Sequence, residues 1–341
     1  MTSAAGRSLV SAAITAHFLF SALFVACLPE AYARWGLKRV TQAGIFCTAI
    51  GAMLWGNAAA AWQLFPIAAI SGAGSAATTG AAINAIVAPW FDSERPRALS
   101  MAFNGASIGG LIFTPLWAVA IGRFRFATTA VFMGIAVLAV LWPVSTRYLG
   151  VGPGVAAGAS PSTLTNAALL RDRSFLAISA AFALGLFAQV GLLAHLVTRL
   201  APVVDANGAA LAVSLVTVCA VLGRYDNRRR VAALNFLVQA AGTTLLTAAG
   251  STPALVSGCV LFGLGVGNLV SLPPLIMQKE FAAGDVGKAV ALMVAITSAV
   301  LAFAPAVLGA VRDIASGYVW SFGLAAVIQF ASMRIILIRR P

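Results

Sequence analysis

Residues 174–199 read SFLAISAAFALGLFAQVGLLAHLVTR, and the terminal Arg199 is the one side chain of this stretch that carries a formal charge. About 20 consecutive apolar residues in a helix are enough to cross the hydrocarbon core of a bilayer. Lipid offers no hydrogen-bond partners, so a spanning segment must pair its backbone groups within itself, as an α-helix does. The stretch therefore predicts a transmembrane helix.

The whole chain shares this apolar character. It has 341 residues, of which 61% are hydrophobic and only 9% are charged, and its mean hydropathy is +0.96. Soluble domains carry about 25% charged residues, so this composition excludes a surface that faces water throughout. We predict an all-α membrane protein. Its eleven predicted transmembrane segments are residues 8–28, 40–58, 63–89, 98–121, 126–146, 174–199, 206–223, 231–249, 254–278, 286–311 and 317–338.

The net charge of +13 is explained by membrane topology rather than by a nucleic-acid partner, because the basic residues lie between the apolar segments. When alternate loops are assigned to the cytoplasm, starting after the first segment, that side holds 17 Lys and Arg residues and the other side holds 5. The positive-inside rule requires such a split. It predicts a multi-pass protein with a cytoplasmic C-terminus. The large excess of Arg over Lys indicates a bacterial inner (plasma) membrane.

The longest break between apolar segments divides the chain into two halves. Its Gly-, Pro- and Ser-rich part, Gly150 to Pro161, is typical of a flexible linker. We predict an N-terminal helical half at residues 1–147, a cytoplasmic linker at 148–173 and a C-terminal helical half at 174–341.

Landmark residues recur between the halves in the same order and at a nearly constant offset. The pairs are Gly72 and Gly74 with Gly263 and Gly265, Arg97 with Lys288, Pro115 with Pro305, and Arg123 with Arg312. At this offset, each segment of the first half corresponds to a segment of the second half that crosses the membrane in the same direction. The halves are therefore predicted to be parallel repeats.

One member of the repeat has no partner. At the same offset, the counterpart of segment 174–199 would lie before Met1. We therefore expect five helices in the first half and six in the second. The first helix of a twelve-helix protein is expected to be absent, through either a misassigned start or a real deletion.

Two basic loops carry a resemblance to a known family. Arg34 to Arg39 read RWGLKR, and Gly223 to Arg230 read GRYDNRRR at the corresponding place in the second half. This pattern resembles the major facilitator superfamily, whose signature there is a Gly, an Asp-Arg four residues later, and then a Gly and a basic pair. Pro29 and Ala33 stand where that signature has its first Gly and its Asp. The gating-loop residues that the resemblance implies are Arg34, Lys38, Arg39, Arg95, Arg97, Arg224 and Arg228.

Two narrower resemblances concern subfamilies. Trp90-Phe91, Arg97-Ala98 and the stretch from Asn104 to Gly110 resemble monocarboxylate and oxalate:formate-type transporters. Gly267 to Pro274 is similar to bacterial permeases described as arabinose-efflux-like.

The resemblance implies a secondary active transporter that moves a small organic solute by alternating access between two helical halves. It also implies that the protein is a monomer in the lipid bilayer, is not an enzyme and has no cofactor. The sequence has no Gly-x4-Gly-Lys-Ser/Thr loop for ATP, so the energy would come from a gradient of a coupled ion or from the solute's own gradient. The alternative is a truncated remnant that inserts but does not transport.

Polar residues within the apolar segments are the candidate substrate site. Asn104, Ser107 and Thr114 share one helical face, since steps of three and seven return to nearly the same angle. By family resemblance, these residues and four others line the cavity. The candidate substrate-binding residues are Asn104, Ser107, Thr114, Gln189, Asn268, Ser271 and Thr78. The alternative is hydrogen bonding between helices.

His17 lies near the middle of the first segment and is a candidate proton relay, because imidazole titrates near neutral pH. The alternative is a neutral histidine that bonds to a neighbouring helix. The two histidines and four scattered cysteines have no metal-ligand spacing, so no metal site is expected. Pro273 and Pro274 are expected to unwind or kink their helix.

Overall fold

The computed structural model describes residues 4–87, 90–91, 94–149, 164–222, 228–248 and 250–338. These residues form helices joined by short turns, and no strand occurs among them. The α-helices are α1 (Ala4–Trp35), α2 (Leu37–Asn57), α3 (Leu64–Thr78), α4 (Gly80–Val87), α5 (Arg95–Tyr148), α6 (Asn166–Leu169), α7 (Arg173–Leu222), α8 (Arg228–Ala248), α9 (Thr252–Val266), α10 (Asn268–Glu280), α11 (Ala283–Leu301), α12 (Ala304–Ile314) and α13 (Tyr318–Ile336). A 3-10 turn, Ala61–Gln63, precedes α3.

The all-α membrane class predicted from composition is confirmed. Within the described residues, seven helical stretches are long and apolar enough to cross a membrane. They are Ala12–Trp35, Val119–Tyr148, Arg173–Leu196, Arg229–Ala248, Thr252–Glu280, Gly284–Ile314 and Tyr318–Ile336. The count of eleven spans stays a prediction.

Two of the helices each contain two predicted segments. Helix α5 is 54 residues long and covers the predicted segments 98–121 and 126–146. Arg125, which lies between them, leaves the helical conformation with φ 67° and ψ 156°. Helix α7 is 50 residues long and covers the predicted segments 174–199 and 206–223.

The predicted segment 63–89 is interrupted at Thr79, whose backbone is extended. The predicted segment 254–278 is interrupted at Gly267. Helix α10 runs through Pro273 and Pro274, so the unwinding expected there was wrong, whereas the alternative, a kink, stays a prediction. Neighbouring side chains bury both prolines, and this packing stabilises the helix where the prolines lack N–H donors.

Backbone irregularities recur at nearly the offset of the sequence repeat. The boundary between α3 and α4 at Thr79 corresponds to the boundary between α9 and α10 at Gly267, where φ and ψ stay helical. Among the described residues, the non-glycine positions with positive φ are Arg125 and Ser316, which form a second pair at almost the same offset. These pairs favour the repeat inferred from the sequence, although the superposition of the two halves stays a prediction.

The chain divides into two compact units. Unit 1 contains residues 1–99, 113–165 and 281–302, and unit 2 contains residues 100–112, 166–280 and 303–341. Each unit thus includes a segment from the other half of the sequence. The domain boundaries at residues 147 and 174 are a separate prediction, which these units do not test.

Unit 1 is built on close contacts between α1, α2 and α3. A Cβ atom added to Gly74 of α3 would lie 2.4 Å from the backbone nitrogen of Thr48 in α2. A Cβ added to Gly51 of α2 would lie 2.9 Å from the Cα atom of Ser71. Small residues let the backbones of transmembrane helices approach closely, and the contacts at Gly74 and Gly51 are of that kind. Helix α11 also belongs to this unit, where the Thr15 hydroxyl of α1 donates to the carbonyl of Ala302, 3.1 Å away.

Unit 2 has an apolar core between α7, α8, α9 and α13. The Phe182 ring of α7 packs on Phe236 of α8 with their centroids 5.5 Å apart. The deepest part of the core consists of Leu192, Leu196, Leu246, Phe262 and Phe322, all fully buried.

Candidate functional site

A cavity of about 590 Å³ opens in unit 1. Helices α1, α2 and α3, the turn after α2, and the part of α5 that follows Arg125 form its walls. Its lining residues are Val10, Ile14, His17, Phe18, Trp55, Gly56, Ala58, Leu64 and Phe126. Its volume is within the range of small-molecule sites in proteins.

Ser71 of α3 is hydrogen-bonded to two polar side chains of the cavity wall, His17 and Trp55. The Nδ1 atom of His17 lies 2.7 Å from Ser71 Oγ, and the Nε1–H group of Trp55 donates to the same oxygen at 3.0 Å. The Ser71 hydroxyl also lies 3.3 Å from the carbonyl of Ala68. The single hydroxyl proton points either to His17 or to Ala68, and this choice sets the imidazole tautomer. His17 thus bonds to a neighbouring helix and also lies on the wall of a cavity. Its role as a proton relay stays a prediction.

The predicted stripe of Asn104, Ser107 and Thr114 belongs to α5, but these three side chains lie outside those that the structure describes. Thr78 is half-buried at the end of α3. Its hydroxyl donates to the carbonyl of Gly74 at 2.8 Å and lies 3.5 Å from the hydroxyl of Thr48.

Buried carboxamides pair with each other in unit 2. The Nε2 group of Gln239 donates to Oε1 of Gln189 at 2.7 Å. The Nδ2 group of Asn268 donates to Oδ1 of Asn235 at 3.0 Å, and Asn235 donates to the carbonyl of Gly265 at 3.2 Å. These bonds tie α7 and α10 to α8, which is the interhelical bonding that the sequence left as an alternative to substrate contact. Their role in binding a substrate stays a prediction.

Ser271 lies one turn beyond Asn268 in α10 and is also buried. Its hydroxyl donates to the carbonyl of Gly267 at 3.2 Å, within the same stretch of chain. A serine that bonds back to its own helix in this way does not need a partner on another helix.

The paired carboxamides give a test that separates packing from binding. Replacing Gln239 alone with leucine should reduce the thermal unfolding midpoint, because Gln189 Oε1 loses its donor at a cost of about 1–3 kcal/mol. The double replacement Gln189→Leu/Gln239→Leu should restore most of that midpoint, because both partners become apolar. If the double variant folds normally but loses transport, the pair contacts the substrate, and if it folds and transports normally, the pair serves packing alone.

The predicted gating residues show varied contacts. The Nζ group of Lys38 donates to the carbonyl of Thr146 at 3.0 Å. The Arg34 guanidinium lies 5.5 Å from the centroid of the exposed Trp35 ring. Arg97 is exposed and lies 3.8 Å from Glu94, whereas Arg39 is exposed at the start of α2. The side chains of Arg95, Arg224 and Arg228 lie outside those that the structure describes.

Sequence reasoning missed a buried ion pair in unit 2. Arg229 of α8 places Nε 2.5 Å from Oε1 of Glu280 and Nη2 2.7 Å from Oε2 of the same carboxylate. The guanidinium also donates to the Ser174 hydroxyl at 2.6 Å and to the carbonyl of Ile336 at 3.1 Å. It thereby joins the ends of α7, α8, α10 and α13. Nothing in the sequence distinguishes Arg229 from the neighbouring basic residues Arg228 and Arg230, so this pairing could not be predicted.

Comparisons with known proteins agree with this architecture. Residues 2–225 match the family model of the Major Facilitator Superfamily. The human organic anion transporter MFSD10 (TETRAN) has a similar structure, with a TM-score of 0.72 and 17% identity over 96% of this chain and 82% of that chain. A variant of the E. coli fucose:proton symporter FucP has a TM-score of 0.75 and 16% identity over 98% of this chain and 91% of that chain. A comparison with curated proteins found no match.

The chain belongs to the major facilitator superfamily, because the family model matches about two thirds of it. It is a multi-pass membrane transporter that binds a small-molecule substrate, and it is not an enzyme. The family resemblance inferred from the sequence is thus confirmed. The resemblance to particular subfamilies and the missing first helix stay predictions.

Proposed function

We propose that this chain is a secondary active transporter of a small organic solute, which works by alternating access between the halves at residues 1–147 and 174–341. The observation that carries the proposal is the family match together with a likeness to two solved transporters over 96% or more of the chain. One of those is a proton symporter and the other an organic anion transporter. The likeness to a proton symporter supports movement driven by a gradient.

We propose His17 as the proton relay and the seven candidate substrate-binding residues named from the sequence as the substrate contacts. His17 supports this role by its position, because it lies within the span Ala12–Trp35 and on the wall of a cavity. An ionisable residue inside a membrane span is costly and is commonly functional.

The cellular setting is also a proposal. The split of 17 to 5 basic residues supports a cytoplasmic C-terminus, and the Arg-rich composition supports a bacterial inner membrane. We propose that the linker at 148–173 is cytoplasmic and that the protein functions as a monomer.

Transport is tested in proteoliposomes with a panel of radiolabelled monocarboxylates and sugars. An inward proton gradient should increase the uptake of at least one solute severalfold over protein-free liposomes. His17→Gln should abolish the dependence on the gradient while solute exchange persists, because glutamine cannot titrate. The matched control is His195→Gln, which changes a histidine bonded to the carbonyl of Pro305 in unit 2 and should leave the gradient dependence intact.

Two outcomes would contradict parts of this proposal. Gradient-driven uptake that persists in His17→Gln would remove His17 from the coupling mechanism. Well-folded protein that moves no solute of the panel above the protein-free background would favour the non-transporting remnant.

A further inference from the structure

We propose that the cavity of unit 1 is a binding site for an uncharged, ring-bearing organic solute with one hydroxyl group. The site lies wholly within unit 1, and binding there requires neither a gradient nor transport. If no ligand binds in the cavity, the proposed transport function is not contradicted. If the protein does not transport, the proposed binding site is not contradicted.

The charge of the ligand follows from the lining. The lining residues that the structure describes include no Lys, Arg, Asp or Glu, and His17 is the one titratable side chain among them. Moving an unpaired charge from water into apolar surroundings is strongly unfavourable. The cavity therefore selects against carboxylates and ammonium groups and favours a neutral solute.

The ring follows from the aromatic residues of the wall. Phe18, Trp55 and Phe126 line the cavity with His17, and the rings of His17 and Phe18 are 5.3 Å apart at an interplanar angle of 78°. The indole N–H of Trp55 is already donated to Ser71. The indole therefore offers apolar surface to a ligand, and aromatic rings pack favourably against such surfaces.

The hydroxyl group of the proposed ligand is inferred from the Nε2 atom of His17. Its Nδ1 atom is held by Ser71, whereas no described residue forms a hydrogen bond with Nε2. A hydroxyl group both donates and accepts, so it pairs with Nε2 in either tautomer of the ring. Because Ser71 fixes the imidazole beforehand, the ligand does not have to order it.

Three probes that share the naphthalene ring system test the proposal. They are 2-naphthol, which is neutral at pH 7, its anionic analogue 2-naphthoate, and naphthalene, which has no polar group. Radiolabelled probe is dialysed to equilibrium against protein in lipid nanodiscs, and binding is the excess over empty nanodiscs. We expect saturable binding of 2-naphthol, with naphthalene about threefold to tenfold weaker for lack of one hydrogen bond. We expect 2-naphthoate to be weaker still.

Variants assign the binding to this cavity. Ile14→Trp should abolish 2-naphthol binding, because the larger side chain fills the space beside His17. The matched control Leu23→Trp places the same side chain at an exposed position of the same helix and should bind as the unchanged protein does. His17→Leu should lower the affinity for 2-naphthol to that for naphthalene.

Three results would overturn the site. They are 2-naphthol binding no greater than in empty nanodiscs, unchanged binding in Ile14→Trp, or equal affinity for 2-naphthoate. Thermal unfolding of each variant shows whether it is folded, and a cavity-filling variant that fails to fold is replaced by Val10→Trp at the same cavity.

Discussion

Replacing Glu280 with leucine should lower the free energy of unfolding by about 3 kcal/mol, because it leaves the buried guanidinium of Arg229 without its counter-charge. The side chain of Arg229 is 8% exposed and that of Glu280 is 24% exposed. Removing one partner of a buried pair costs about 3–5 kcal/mol, and the partial exposure of Glu280 places this case at the lower end. The measurement is the thermal unfolding midpoint and the yield of monodisperse protein in detergent.

Two controls accompany this variant. Arg230→Met changes an exposed arginine next to Arg229 and should leave the midpoint within a few degrees of the original. The double variant Arg229→Met/Glu280→Leu should recover most of the loss, because it removes both charges together. A Glu280→Leu variant as stable as Arg230→Met would show that the ion pair contributes nothing to stability.

Replacing Gly74 with valine should prevent α2 and α3 from packing in their present arrangement. Even the first carbon of the new side chain would lie 2.4 Å from the backbone nitrogen and 2.8 Å from the Cα of Thr48. Backbone atoms of a packed helix cannot rotate away as a side chain does, so the helices must separate. Overpacking costs about 1–3 kcal/mol where side chains absorb it, and this backbone contact should reach or exceed the upper value.

Gly122→Val is the matched control, since a Cβ atom there meets nothing within 4 Å. Both variants are expressed side by side, and the folded fraction is measured by size-exclusion chromatography. Gly122→Val should match the unchanged protein, whereas Gly74→Val should lose most of its monodisperse fraction. Equal behaviour of the two variants would contradict the close approach of α2 and α3.

The fold was predictable because the helices follow from composition and spacing. The apolar run at 231–249 coincides with α8 to within three residues at its start and one at its end, since lipid leaves few alternatives to a helix. The interruptions were less predictable. Proline at 273 and 274 indicated a break by local chemistry, but burial of both residues stabilised the helix there, and the break lies at Gly267.

The candidate site was only partly predictable, because its hydrogen bonds join residues far apart in the chain. His17 stood out as an ionisable residue inside a span, but its partner Ser71 is 54 residues away. Gln189 and Asn268 stood out as polar residues in apolar runs, whereas their partners on α8 had no distinguishing pattern. The Arg229–Glu280 pair could not be predicted either, because the sequence does not show which charged residues meet once the helices pack.

Unit 1 combines segments of the chain that are synthesised at different times. Helix α1 leaves the ribosome early, yet its contact between Thr15 and Ala302 spans 287 residues of sequence. At about 5–20 residues per second, the partner segment is synthesised roughly 15–60 s later. During this interval α1 must stay in the membrane without α11, which is part of the same unit. Unit 1 therefore cannot finish folding during translation of the first half, and its assembly is completed only after α11 has been synthesised.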